Sequence, residues 1–591
     1  VIVPMKKVFV VGRQADHDRL LTALGELGVL HLLPADPDGA VADERMLSAL
    51  DETDRAIQIL SQHEPAGDAP SLEATDAVAE VLHLRHAGAE ARARLNILHR
   101  QINQLAVWGD MRLDQFDALQ AAGVSLTFAA VRTKELDEVS AELIHRIGAP
   151  SGGKQLVALA SRSGNITLPE SATLHDLPPR DRPTVVAEAA DIDASLKAGN
   201  DRLAELAHLL PAIQTRRNEL RAAAEFSVAS KGALVGDALT ALQGWAPADH
   251  ADTLAVDLAA KELDAAVEAF EPTEDDAPPT LIKYPRWAMP IKGLFDIMGT
   301  FAGYKEFDVG VPFMLALPIF AAMLIGDGGY GALILVTLLL GYKKIAPKLG
   351  REFVQLLIVV GATTLIWGIL SGSFFGFLLI KSPLIPVNLT DESRALVMKI
   401  SFVMGAIHLS LAQLWQAVRY FPNIRFLSKV GWAIFIWGMF GVVLQLVVGI
   451  PSLLGWDQPF RYLLIAGAAL AVSFAHPNRN LLKALGLGLA DFPLAGISAF
   501  SDVTSYVRLM AVGLASGVLA SSFNDMAMEI GFWPLTIVVM ILGHGLNLAL
   551  CLIALFAHGV RLNMLEFSSN LGMQWTGYAY QPFQQSRRLE Q

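Results

Sequence analysis

Hydrophobic and polar positions alternate over Lys6–Val11, take a helical period over residues 17–27, and give way to an apolar run at Val29–Leu33. Strand, helix, strand predicts a small α/β lobe. From about residue 41 to 110 the pattern is helical, and Leu95, Leu98, Ile102 and Leu105 recur at the 3-4-3 spacing of a coiled-coil seam. A second seam follows at Leu203, Leu206, Leu210, Ile213 and Leu220, where Pro211 is expected to kink the helix. Between the seams lie strand-like runs at Val124–Val131 and Leu156–Ala160, with a helix expected over residues 135–146. The simplest assembly is two α/β lobes at the ends of an antiparallel helical rod.

Beyond residue 280 the pattern changes. An acidic, Pro-rich linker, Glu271-Pro272-Thr273-Glu274-Asp275-Asp276-Ala277-Pro278-Pro279, and an interfacial-looking stretch with Trp287 lead into long apolar runs near the ~20 residues that cross a bilayer. Eight spans are read: 310–326, 327–342, 353–380, 397–419, 431–450, 460–475, 492–528 and 532–565. The first two form a tight hairpin and the sixth is short, so seven is the alternative count. At 1.5 Å per residue the seventh span would be roughly 55 Å long against ~30 Å of hydrocarbon, so the last two helices are expected to tilt or project. The reading is therefore a mainly α protein: a cytoplasmic arm over 1–280, a linker and interfacial segment over 281–309, and a polytopic membrane domain over 310–591.

Charge sharpens this division. Of 591 residues, 53% are hydrophobic and 18% charged, yet residues 1–280 carry a net −19 and residues 281–591 a net +7. An acidic soluble half would repel phosphate, so a nucleic-acid binder is not expected. The single cysteine, Cys551, lies in an apolar run and excludes a disulfide scaffold. Val8–Val11 is followed at once by Gly12-Arg13-Gln14-Ala15-Asp16, so no secretion signal is read and the acidic half is expected in the cytoplasm. Eight spans with both ends inside then place Lys343, Lys344, Lys348, Arg351, Arg425, Lys429, Arg479, Lys483, Arg587 and Arg588 on the cytoplasmic side. Outside remain only Lys381 and Arg394, offset by Asp391 and Glu392.

The candidate chemistry lies in the last two spans. Arg508 sits within Ser501-Asp502-Val503-Thr504-Ser505-Tyr506-Val507-Arg508-Leu509-Met510, and a central arginine costs about 2.5–3.5 kcal/mol to insert, which makes it a functional candidate; the structural alternative is a pairing with Asp502 or a nearby carbonyl. Ser501, Ser505, Arg508 and Ser516 align, and Ala511, Gly513, Ala515 and Gly517 are small enough to admit another helix. In the eighth span His544, Asn547, Cys551, Ala554, His558 and Arg561 follow at 3-4-3-4-3 spacing, which places them on one helix face. Each histidine alone reads more readily as a packing residue; the stripe together lines water or a partner. Asp491, Asp525 and Glu529 lie towards the ends of the seventh span. The pattern predicts a proton or cation path with two buried arginines and no carboxylate at its centre, the acid being supplied by a partner. No G-x-x-x-x-G-K-[ST], H-E-x-x-H, paired cysteines or nucleophile elbow occurs, so no catalytic site, cofactor or metal is expected.

The stretch Ser501-Asp502 to Ser505-Tyr506-Val507-Arg508-Leu509, and His558-Gly559-Val560-Arg561-Leu562 with Glu566, resemble the two arginine motifs of subunit a, called subunit I in prokaryotes, of V/A-type rotary ATPases. Gly326-Asp327-Gly328-Gly329-Tyr330-Gly331 resembles that family's Gly-Asp-x-Gly-His/Tyr-Gly turn. The resemblance covers the whole chain. It implies a membrane stator beside a rotating ring of c-type proteolipid subunits, with two offset half-channels for H⁺ or Na⁺. Arg508 would be the stator arginine and Arg561 its companion. Ser501, Asp502, Ser505, Ser516, Asp525, Glu529, His544, Asn547, His558 and Glu566 would be half-channel candidates. It also implies peripheral stalks of E- and G-type subunits on the arm, with ATP handled by catalytic A/B subunits beyond a central stalk. Cys551 and Ser516 stand where eukaryotic members carry a glutamate and a histidine, and the short loops look like those of a prokaryotic plasma-membrane protein. The rival readings are a self-contained antiporter, expected to show an internal repeat that is not found, and a coiled-coil membrane receptor, which needs no buried arginine.

Overall fold

The computed structural model describes residues 1–37, 39–162, 164–379, 391–478 and 480–584. Lys381, Arg479, Arg587 and Arg588 lie outside the described residues, as do the side chains of Asp391 and Glu392.

Strand β1 (Met5–Arg13), helix α1 (His17–Leu27) and strand β2 (His31–Leu33) form as the alternation predicts. Met5, Val8 and Val10 of β1 are buried, as are Leu20, Leu21 and Leu24 of α1. Helices α2 (Glu44–Leu60) and α3 (Ala74–Leu105) follow, then α4 (Leu113–Ala121). A four-stranded sheet is built from β3 (Ser125–Arg132), β4 (Leu143–Ser151), β5 (Lys154–Ser161) and β6 (Thr173–His175), in the order β4-β5-β3-β6. The helix expected over 135–146 is replaced by a 3₁₀ turn, Thr133–Glu138, and by β4. The turn at Gly152-Gly153 explains the difference. Both residues have positive φ, 60° and 77°, and fold β4 back antiparallel on β5.

The chain returns through α5 (Arg182–Leu206) and α6 (Leu210–Lys231). Asp181 caps α5, accepting from Thr184 N at 2.9 Å and also from Leu113 N at 3.1 Å; these bonds hold its carboxyl below the usual range. Pro211 does not kink a continuous helix. The helix ends, a 3₁₀ turn covers Ala207–Leu209, and the proline occupies the first turn of α6, where no donor is needed. Helices α3 and α5 run antiparallel, since Glu80 pairs with Arg202 at 2.7 Å and Arg94 with Glu188 at 2.6 Å. Leu98 of the first seam packs with Val185 and Ala189. Leu206 of the second is fully buried with Ala56, Leu60, Val78, Val81 and Ile213. Leu206→Ala should therefore cost about 2–5 kcal/mol locally. The expected readout is faster hydrogen exchange in α2, α3 and α5 of the full chain, and unchanged exchange would show that the seam does not hold these helices.

Strands β7 (Leu234–Val235) and β8 (Leu239–Pro247), short helices α7 (Ala248–Ala251) and α8 (Leu254–Ala259), and β9 (Ala266–Phe270) complete the N-terminal region. Their sheet has the order β2-β8-β1-β9, with β7 on β8. By packing, the chain divides into two compact units. One comprises Val1–Val8, Gly244–Leu254 and Val267–Pro582; the other comprises Phe9–Gln243, Ala255–Ala266 and, among the described residues, Phe583–Gln584.

The first unit holds the apolar helices. After α9 (Pro290–Met298) come α10 (Gly310–Ile325), α11 (Gly328–Leu349), α12 (Arg351–Ser371) and the β10–β11 hairpin (Ser373–Phe374, Phe377–Leu378). Then follow α13 (Asp391–Tyr420), α14 (Arg425–Val443), α15 (Pro459–Ser473), α16 (Leu481–Ser505), α17 (Val507–Glu529) and α18 (Trp533–Ala554). Among the described residues five helical runs are long and apolar enough to cross a membrane: Arg351–Ser371, Arg394–Tyr420, Arg425–Val448, Leu482–Glu529 and Trp533–Asn570. Gly310–Ile325 and Pro459–Ser473 are shorter and apolar. The run of 48 residues over Leu482–Glu529 is interrupted only at Tyr506, between α16 and α17. Helix α10 is almost wholly buried and lies close to α17 at Gly513, where a Cβ would come within 2.2 Å of the Met323 carbonyl oxygen. Of the small residues expected to admit a neighbour, Gly513 does so, whereas Gly517 faces open space.

Candidate functional site

Helix α18 gives way to π-helical turns at Leu555–Val560 and Leu562–Phe567, then to the short helix α19 (Ser568–Asn570). This change of register shapes the site. In an α-helix, residues five apart point about 140° away from each other; i→i+5 bonding winds them closer to one face. Arg561 and Glu566 are five apart and meet, Arg561 Nε lying 3.8 Å from Glu566 Oε1. The same oxygen accepts from Arg508 Nη1 of α17 at 3.1 Å. Arg508 Nη2 donates to Ser505 Oγ at 3.1 Å, and that hydroxyl donates to the Ser501 carbonyl at 2.9 Å.

The expectation of no carboxylate at the centre is thus corrected: Glu566, its side chain only 6% exposed, joins both arginines. The pairing of Arg508 with Asp502 does not form. Asp502 instead accepts from Asn570 Nδ2 at 2.8 Å, and Asn570 Oδ1 accepts from Gln413 Nε2 of α13 at 2.8 Å. Asp502 and Asn570 line a cavity of about 460 Å³, whose walls also include Gln413, Lys429 and Asp491. Beside the break at Tyr506, its buried hydroxyl lies 2.8 Å from His408 Nδ1, and the His408 ring stacks on Phe567 at 4.3 Å.

A second polar network lies in the same helices. The Tyr330 hydroxyl, at the start of α11, lies 2.8 Å from His544 Nδ1 and accepts from Asn547 Nδ2 at 3.0 Å. His544 Nε2 lies 3.0 Å from Asn524 Oδ1. Asn547 Nδ2 also reaches the Ser516 carbonyl at 2.9 Å, and Ser516 Oγ sits 3.1 Å from Cys551 Sγ. In an apolar surrounding such chains persist only when their members satisfy one another. Asp327 orients the turn before Tyr330, its carboxylate buried and accepting from Gly329 N at 2.8 Å, Phe375 N at 2.7 Å, Gly376 N at 2.9 Å and Ser373 Oγ at 2.7 Å.

The stripe read along the eighth span therefore splits. His544, Asn547 and Cys551 share the inner face and one network. The π turns then carry the chain off that register, leaving the His558 side chain half-buried with no hydrogen bond among the described residues and the Arg561 side chain 51% exposed, contrary to its expected burial. Asp525 and Glu529 are exposed and join neither network. Ser501 and Ser505 support Arg508, whereas Ser516 belongs with Cys551. The residues not singled out as site members were Tyr330, Asn524, His408 and Gln413. For Asn524 a signal existed: with Ser516 and Ala520 it repeats every four residues along α17, and all three are buried. Among the described residues no group of three or more His, Cys, Asp or Glu is placed to hold a metal ion.

Arginines and a buried carboxylate inside long apolar helices define a membrane protein with an ion-pairing core. No family model matches the chain. It is 26% identical to the V-type ATP synthase subunit I of Borreliella burgdorferi over 99% of this chain and 100% of that one. Against the V-type ATP synthase subunit I 1 of Treponema pallidum it is 27% identical, with the same coverage. The A-type ATP synthase subunit I of Methanocaldococcus jannaschii is 26% identical over 58% of this chain and 55% of that one. Among solved structures, the cytoplasmic N-terminal domain of a subunit I, homolog of subunit a of V-ATPase, aligns with 44% of this chain and all of that one, at 14% identity and a TM-score of 0.19. Over nearly its whole length the chain is thus similar to V-type ATP synthase subunit I proteins, and over more than half of it to an A-type one.

Proposed function

We propose that this subunit is the stator of the motor, standing beside a ring of c-type proteolipids and offering H⁺ or Na⁺ two offset half-channels. The observation that carries this reading is Arg508, held by Glu566 and Ser505 at the middle of a long apolar helical run. A permanently charged guanidinium favours the ionised form of a passing carboxylate and opposes a direct leak between the two half-channels. The cavity at Asp502 supports one half-channel, and the Asn524–His544–Tyr330–Asn547 chain supports the other. With eight spans and both termini in the cytoplasm, the acidic arm would be available to E- and G-type peripheral-stalk subunits. Nucleotide chemistry then belongs to A/B-type subunits across a central stalk.

The test is purification of the tagged chain from its native membrane. It should bring down a small proteolipid with a mid-helix carboxylate, together with subunits that hydrolyse ATP. The isolated chain should show no saturable ATP binding by calorimetry. Absence of the proteolipid from an intact preparation, or nucleotide binding by the chain alone, would remove the stator assignment.

A further inference from the structure

We infer that Glu566 is a positioning residue that sets the arginine pair at one net positive charge, so that a single membrane-embedded carboxylate can both bind Arg508 and leave it. This rests on the stator reading above and deepens it. Three observations lead there. First, Glu566 Oε1 is shared by Arg508, at 3.1 Å, and Arg561, at 3.8 Å. Second, its Oε2 is buried and makes no hydrogen bond among the described residues, so the carboxylate is held through the guanidiniums alone. Third, the side chains of Arg508 and Arg561 are 27% and 51% exposed while that of Glu566 is 6% exposed. An approaching acid therefore meets the two cations, with their counter-ion behind them.

Charge counting gives this arrangement its consequence. Two guanidiniums and one carboxylate sum to +1, which one incoming carboxylate neutralises. Without Glu566 the same acid would face +2, bind too tightly and be slow to leave. The neighbouring groups do not alter the count by contact. Asp502 bonds Asn570 rather than an arginine, Tyr506 and His408 bond each other, and the His558 side chain makes no hydrogen bond among the described residues. The π turns are what make the arrangement available, because α-helical winding would carry Glu566 away from Arg561.

The experiment compares Glu566→Gln, Glu566→Asp, Arg561→Gln and the double variant Glu566→Gln/Arg561→Gln in the whole complex, reconstituted in vesicles, with subunit content checked on gels. An uncompensated charge a few ångströms from the acid predicts that ATP-driven pumping by Glu566→Gln falls about a hundredfold. Glu566→Asp, which keeps the charge, should retain most of the activity. Arg561→Gln leaves no net charge and should also be impaired. The double variant restores +1 and should outpump each single variant, by about tenfold over Glu566→Gln, a rescue that a purely structural carboxylate would not produce. Full activity in Glu566→Gln, or a double variant no better than either single one, would overturn the inference. Should Arg508→Ala still pump, the stator reading itself fails; should it be dead while the double variant gives no rescue, only the charge assignment fails.

Discussion

Arg508→Ala should abolish ion translocation while the complex remains assembled, and Arg508→Lys should restore little of it. Assembly is expected to survive because the partner left behind is not stranded. When Arg508 is removed, Glu566 keeps Arg561 within 3.8 Å, and Ser505 keeps its bond to the Ser501 carbonyl. The loss falls on function instead. In the proposed stator role, a ring carboxylate that has shed its ion must pass as an anion, and at membrane depth an unpaired anion costs several kcal/mol. Lysine supplies a compact charge that desolvation tends to neutralise. Guanidinium stays charged and offers several donors, two of which already reach Glu566 and Ser505 here. Arg561, farther from Glu566 and more exposed, should be more forgiving, with Arg561→Lys keeping part of the activity. Pumping by reconstituted vesicles, with subunit content measured alongside, decides the matter. Substantial coupled pumping by Arg508→Ala would make this arginine a structural residue.

Much of this arrangement was legible before any coordinates because its signals are local and periodic. Leu98 and Leu206 mark their seams at 3-4 spacing, and each is fully buried where that spacing implies. Arg508 announced itself by being a charge in an apolar run. The misreadings have physical causes of another kind. Residues 135–146 look amphipathic either way, and the Gly152-Gly153 reversal, which lies beyond the segment, decides for a strand. Alpha-helical periodicity groups Arg561 on one face with His544, Asn547 and Cys551, and the π turns are invisible to a pattern that assumes 3.6 residues per turn. Glu566 was a candidate, yet its place between two arginines depends on that shifted register and on a helix 58 residues earlier in the chain. Asp327 stood out only as part of a Gly-rich turn. Its partners Ser373, Phe375 and Gly376 lie 46 to 49 residues away, beyond the reach of any local pattern.

Those distant partners give Asp327 the largest expected structural effect of any single polar residue in the membrane helices. Its carboxylate is 1% exposed and is stabilised by hydrogen bonds rather than by a cation. Oδ1 accepts from the amides of Gly329, Tyr330 and Phe375, and Oδ2 from Gly376 N and Ser373 Oγ. Two of these amides open α11, where the helix dipole adds to the attraction for an anion. The other two belong to the β10–β11 hairpin, so one side chain ties the hairpin to the start of α11. The tie is tight: a Cβ on Gly329 would lie 2.5 Å from the Phe375 ring. Asp327→Ala leaves four backbone donors without their acceptor, each worth about 1–3 kcal/mol where water cannot replace it. The sum exceeds what a helix hairpin can absorb unless it opens. The variant should accumulate poorly in the membrane, and the detergent-purified fraction should melt well below the parent. Asp327→Asn should be intermediate: its amide oxygen can still serve the Oδ1 donors, but its NH₂ would face Gly376 N, donor against donor. Because Tyr330 follows three residues later and carries the hydroxyl shared by His544 and Asn547, ion translocation should fall with stability in both variants. A thermal melt of Asp327→Ala indistinguishable from the parent would show that water takes over these amides and that the turn is not what holds Tyr330 in place.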